Sequence, residues 1–225
     1  MEMKTKKNIV KGILLIIVLG ILIFLIITVP KFVIIHNHNS KVIQARQADN
    51  ITMKLIDYSR VDIDAIEYLK KGNIFVMKLA NNRMLWKDKN EPVEYIILQE
   101  EKQVIEHNVK DTYAMEDMWI SSVLDGREGN RIWEEILMSI SCHIKTENCN
   151  SKECYLIENS YGKKMTERTW IDKQTGLIVK RTGGMGTTVE DNSYESIIEY
   201  DYTFNEMKDT EVEKPDLTGY TVIHR

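Results

Sequence analysis

The stretch "SYESIIEYDYTFN", residues 193–205, puts Tyr194, Ile198, Tyr200, Tyr202 and Phe204 at even positions, and Glu195, Glu199, Asp201, Thr203 and Asn205 at odd ones. A period of two is that of a β-strand with one face in water and the other covered. Upstream, "TERTWIDKQTGLIVKRTGG" (166–184) reads as two strands folded back around "DKQTG", where Gly176 can take positive φ. Its glycine-rich end, "TGGMG" (182–186), lies between two strand patterns with no helix start behind it, so it reads as a hairpin loop rather than a phosphate cradle. Earlier still come "NITMKLIDY" (50–58), "IDAIEYL" (63–69), "IFVMKLA" (74–80), "RMLW" (83–86), "VEYIIL" (93–98) and "QVIEH" (103–107). Polar breaks such as "KKGN", "KDKNEP" and "QEEK" separate them, which is the rhythm of an antiparallel meander. No helical crossover intervenes, so a doubly wound parallel sheet is excluded.

Between the two strand-rich regions the period changes. In "DTYAMEDMWISSVL", Met115, Met118, Trp119, Ser122 and Val123 fall at helical spacing, and in "NRIWEEILMSISCHI" so do Ile132, Trp133, Ile136, Leu137, Ile140 and Ile144. Asn130 is placed to cap the second helix. Glu134 and Glu135 diverge as neighbours on its first turn and read as solvated charges at the positive end of the helix dipole, not as an acid/base pair. The expected fold is α+β: a curved antiparallel sheet, a half-barrel of about ten strands, covered by two or three helices. The helical stripes holding Trp119, Trp133, Ile136 and Leu137, with Ile198, Tyr200 and Tyr202 on the sheet, are expected to bound one apolar space. That space either accepts an apolar ligand or is packed solid.

The chain begins differently. Residues 12–29, "GILLIIVLGILIFLIITV", carry no charge and as a helix would span ~27 Å, close to the hydrocarbon thickness of a bilayer. The adjoining "TVPKFVII" has no small-residue cleavage site, and no Cys stands where lipoprotein processing would need one. An uncleaved signal anchor is the favoured reading and a cleaved signal peptide the alternative. The expected organisation is a cytoplasmic tail (1–11), a transmembrane signal anchor (12–29), a juxtamembrane linker (30–47) and an extracytoplasmic domain (48–225). Lys4, Lys6, Lys7 and Lys11 hold the tail in the cytoplasm by the positive-inside rule. Beyond that tail the chain has 26 basic and 33 acidic residues, a poor match for nucleic acid or an anionic lipid surface.

Outside the cytoplasm a disulfide persists. Cys149 and Cys154 flank a short polar loop in "ENCNSKECYL" and are the disulfide candidate, two free thiols being the alternative. Cys142, His143, Cys149 and Cys154 fit no common zinc spacing, and Cys142 reads as a small buried hydrophobe. His36 and His38, in the polar "HNHNSK" (36–41), read as solvated linker residues rather than metal ligands. There is no G-x-S-x-G, H-E-x-x-H, P-loop or Rossmann glycine pattern, and His107, His143 and His224 are isolated. No enzyme, catalytic residue, metal or cofactor is expected.

The meander, the central helices, "TWIDKQTGLIVKR" and the ending "YDYTFNEMKDTEVEKPDLTGY" together resemble the bacterial lipoprotein-carrier superfamily of LolA/LolB-like and RseB-like half-barrels, over roughly residues 48–222. That resemblance implies an antiparallel half-barrel closed by helices around a cavity for acyl chains. It departs in having an apparent anchor and no lipidation Cys, so this chain resembles anchored relatives linked to envelope or sporulation functions. The expectation is a non-enzymatic, membrane-tethered extracytoplasmic module that binds lipid or lipoprotein acyl chains. The alternative is an envelope protein-interaction or sensor module with a solid core and no small ligand.

Overall fold

The computed structural model describes residues 2–58, 64–108, 132–160, 165–185 and 196–224. The first helix, α1 (Glu2–Gln47), is one continuous element of 46 residues with Pro30 inside it. A proline at that place removes one backbone hydrogen bond, so the turns beyond it depend on tertiary contacts rather than on propensity. Those contacts exist. Ile35, Val42 and Ala45 are almost wholly buried against the sheet. The stretch 30–47, expected as a polar linker, is therefore corrected to helix. Its apolar residues recur at helical spacing, and the letters "HNHNSK" occupy the turns between them.

Strands β1 (Asn50–Asp57), β2 (Asp64–Lys71), β3 (Ile74–Leu79), β4 (Arg83–Asp88), β5 (Val93–Leu98) and β6 (Gln103–Asn108) come next. Then come α2 (Ile132–Ser141), β7 (His143–Cys149), β8 (Lys152–Ser160), β9 (Met165–Asp172), β10 (Ile178–Met185), β11 (Ser196–Phe204) and β12 (Thr221–His224). All twelve join one open sheet in the order β12-β6-β5-β4-β3-β2-β1-β11-β10-β9-β8-β7. Every neighbour is antiparallel except β12, which runs parallel to β6. The sheet is two meanders joined where β1 meets β11, with Met53 opposite Tyr202 and Leu55 opposite Tyr200. Asn81 and Asn82, both with positive φ, close the tight turn from β3 to β4.

Two details depart from expectation. α2 stops at Ser141, so His143 and Ile144 belong to β7 rather than to the helix. Thr182 to Met185, expected in a loop, continue β10, with Thr182 opposite Arg168 on β9 and Ile197 on β11. The helix expected around Trp119 and the cap at Asn130 lie outside the described residues.

The sheet is covered on both faces. On one, Ile51, Met53, Tyr68, Phe75, Ile157, Ile171, Ile178 and Tyr200 meet Ile35, Val42 and Ala45 of α1. On the other, Leu69, Val76, Trp86, Tyr95, Ile97 and Val104 meet Met207 and Val212 of the segment between β11 and β12. This strap is pinned by polar contacts. Trp86 Nε1 donates to the Val212 carbonyl at 2.9 Å, and Lys214 Nζ stands 3.5 Å from the Tyr95 ring centroid. Each large apolar side chain so covered contributes roughly 1.5–3 kcal/mol.

Candidate functional site at the foot of the long helix

Three elements converge on α1 just past its apolar run. The first is α2. Its buried residues are Glu135 and Ser139, while Trp133 is 75% and Leu137 65% exposed. The expectation that the stripe of Trp133 and Leu137 covers the sheet is thereby corrected, and so is the expectation of a solvated Glu135. Helical periodicity tells that a helix has two faces, and the partner's chemistry decides which turns inward. Here α1 presents polar side chains. Glu135 Oε1 accepts from Asn39 Nδ2 at 2.8 Å, and Oε2 lies 2.9 Å from His36 Nδ1, which donates as the carboxylate can only accept. Glu135 is 3% exposed, so its charge is compensated by these donors and by the start of its own helix.

At the other end of α2, Lys31 Nζ donates to the Cys142 carbonyl at 2.7 Å. A cation on the last carbonyls of a helix satisfies groups that have no intrahelical partner and meets the negative end of the dipole. Burial pushes the Cys142 thiol above its usual range, with the Lys31 charge opposing. Cys142 joins the core beside α1. These three bonds fix direction: α2 runs antiparallel to α1, Glu135 level with His36 and Asn39, Cys142 level with Lys31.

The second element is the turn from β9 to β10. Asp172 Oδ1 accepts from the Gln174 amide and Oδ2 from Thr175 Oγ1, both at 2.9 Å, and the Gly176 amide donates to the Asp172 carbonyl. Gly176 has φ +75, which a residue without Cβ takes at little cost. Its carbonyl accepts from His38 Nδ1 at 2.7 Å, and a Cβ there would lie 2.7 Å from Lys41 Cγ. The regular hairpin "TWIDKQTGLIVKR" thus builds a rigid seat for α1. The third element is the inner face of the sheet, which receives Ile35, Val42 and Ala45.

Of the residues expected around an apolar space, Ile198, Tyr200 and Tyr202 lie with the sheet face that α1 covers. Ile136 is half-buried on α2, Trp133 and Leu137 face away, and Trp119 lies outside the described residues. Among the described residues the buried Tyr202 hydroxyl has no partner, and burial pushes its ionisation well above the ordinary range. His36, His38 and Asn39 carry the junction, which reading "HNHNSK" as linker missed. The signal available was the recurrence of Ile35, Val42 and Ala45 around those letters.

Elsewhere, Cys149 and Cys154 are free thiols, buried together with Leu156, Trp170 and Val179. Burial raises both, Cys154 to about 11, its neighbour Cys149 and Asp172 adding to the effect. Glu94 is buried, and among the described residues its Oε1 has no hydrogen-bond partner. Burial raises its carboxyl, with the charges of His107 and Lys87 opposing. Lys87 Nζ instead donates to the carbonyls of Glu91 and Val93. Among the described residues no group of three or more His, Cys, Asp or Glu is placed to hold a metal ion.

No family model matches the chain, and no curated protein matches it. Solved structures with a similar arrangement include an uncharacterized conserved protein from Thermus thermophilus, at 6% identity and TM-score 0.45, covering 83% of this chain and 97% of that one. MucB is similar at 6% identity and TM-score 0.46, over 84% of this chain and 64% of MucB, and has also been solved in complex with MucA(peri). A LolA superfamily protein from Nitrosomonas europaea is similar at 11% identity and TM-score 0.27, over 78% of this chain and 96% of that one. At such identities the likeness is one of fold alone.

Proposed function

We propose that this chain is a non-enzymatic envelope module, anchored in the cell membrane by α1 with its N-terminus in the cytoplasm, whose extracytoplasmic sheet is held rigidly on its anchor and binds an envelope protein. The carrying observation is that α1 itself fills part of the inner face of the sheet. Ile35, Val42 and Ala45 are 2%, 2% and 4% exposed there, on a face that an acyl-chain carrier would leave open to cargo. A helix that supplies core residues is part of the domain's body, and motion of one moves the other. The apolar residues of α1 between Ile13 and Val29 stay exposed, as a membrane span requires, and the helix is long and apolar enough to cross.

The test compares the full chain in detergent with a chain starting at residue 30, which keeps the docked turns of α1. Both are expected to unfold at the same midpoint and neither to bind a fluorescent fatty acid. Stoichiometric fatty-acid binding at the inner face would return the protein to the carrier reading. Protease added to wall-stripped cells checks topology: digestion of the N-terminal tail with the domain protected would refute the orientation.

A further inference from the structure

The orientation of α2 leaves a stripe with nothing against it among the described residues. Trp133, Leu137 and Ile140 are 75%, 65% and 48% exposed, and they lie on the side of the helix opposite the buried Glu135 and Ser139. Soluble surfaces seldom keep so many large apolar side chains together on one helix face. The position of that face is set by the Lys31–Cys142 bond, since Lys31 is the first charged residue after the uncharged run 12–29. The C-terminal end of α2 is therefore level with the edge of the hydrocarbon layer, if the run spans it as proposed above.

From that edge the heights are set by helix geometry. Ile140 stands about 3 Å and Leu137 about 7 Å above Cys142 along the α2 axis. The headgroup zone of each leaflet is roughly 5–7 Å deep, so Ile140 lies within it and Leu137 at its outer boundary, while Trp133, about 13 Å up, comes down toward it when α1 tilts by about 20°, common for single spans, to the side that α2 occupies. Tryptophan at this level is the usual residue of membrane interfaces. α2 contains no Lys or Arg, so attraction to anionic lipid does not enter.

We infer that the Trp133–Leu137–Ile140 face of α2 rests in the headgroup layer of the membrane that α1 crosses, so that the domain is docked on the bilayer at a second point and cannot swing freely about Pro30. The occupant is the zwitterionic lipid surface itself. The inference rests on α1 being a membrane span, and the experiment separates the two.

Full-length Leu137→Cys and Ile140→Cys variants carry an environment-sensitive fluorophore on the new thiol, as does Glu100→Cys in the exposed turn between β5 and β6. Each is reconstituted in phosphatidylcholine vesicles and titrated with iodide. The labels at 137 and 140 are expected to shift to the blue and to lose several-fold in iodide quenching relative to the label at 100, at low and high salt alike. Equal quenching at all three sites, in chains that resist extraction by alkaline carbonate, overturns the docking while leaving the span intact. Extraction by carbonate removes both. Protection that persists in detergent and grows with protein concentration also overturns it, and assigns the face to a second copy of the chain.

Discussion

Replacing Glu135 by alanine tests the least expected feature, a charged residue facing inward on a helix whose apolar side faces out. Glu135 is 3% exposed and accepts two hydrogen bonds, from Asn39 at 2.8 Å and from His36 at 2.9 Å. Hydrogen bonds to a charged group contribute roughly 1.5–3 kcal/mol each. The His36 side chain is 53% exposed and recovers water when the carboxylate goes, so its share falls to the surface-pair range of about 0–1 kcal/mol. Asn39 is half-buried and keeps most of its loss. Removing a carboxylate from the first turn of α2 costs a further ~0.3–1 kcal/mol of dipole interaction. Glu135→Ala is therefore expected to cost about 2–4 kcal/mol, a drop of several degrees in melting temperature for a domain of this size. Chemical denaturation of the detergent-solubilised chain reads the difference, and a cycle with Asn39→Ala should return a coupling of about 0.5–3 kcal/mol. The companion is Leu137→Ala, where 65% exposure leaves little packing to lose and a change within about 0.5 kcal/mol is expected. With the helix turned the other way the ranking inverts, because a buried leucine truncated to alanine costs about 2–5 kcal/mol. A harmless Glu135→Ala beside a costly Leu137→Ala refutes the orientation, and with it the docking face.

Gly176→Ala meets both a positive φ and the Lys41 Cγ at 2.7 Å, and should cost about 1–3 kcal/mol. Lys41→Ala should restore only the steric part, which the double mutant's denaturation midpoint reads. Glu94→Gln should stabilise at neutral pH: burial raises the folded carboxyl's pKa above its unfolded value, so the wild-type chain loses stability as pH rises through the folded pKa. The advantage of the variant should vanish below the unfolded pKa of about 4.5, and a midpoint difference that does not change with pH would show that Glu94 is not buried as a charge. For Cys149 and Cys154, alkylation of protein unfolded without reductant counts the thiols: a bonded pair leaves only Cys142 reactive, whereas free thiols give three. A bond across so short a loop would add roughly 2 kcal/mol. In the folded, reduced chain all three should react slowly, since burial raises each of them.

Much of the architecture is a local property of the chain. Period two in "SYESIIEYDYTFN" and the polar breaks between residues 50 and 107 place strands because alternation and turn chemistry act within a few residues of one another. The uncharged run 12–29 reads as a span for the same reason, a length of apolar helix being visible without any partner. The strap was partly legible, as the ending that the resemblance to the carrier superfamily included. Its grip on Trp86 through Val212 was not, because that bond joins residues 126 apart in sequence.

Three matters depended on the tertiary structure. The polar "HNHNSK" is helical only because Ile35, Val42 and Ala45 on either side of it find the inner face of a sheet built mostly from residues far downstream. Glu135 is inward only because Asn39 and His36, 96 and 99 residues away in sequence, supply donors that offset its desolvation. The "DKQTG" turn seats α1 only because His38 reaches a carbonyl that any turn of this kind would expose. An amphipathic pattern states that two faces differ. Which face is covered depends on what stands opposite, and that is set by contacts between residues far apart in the chain.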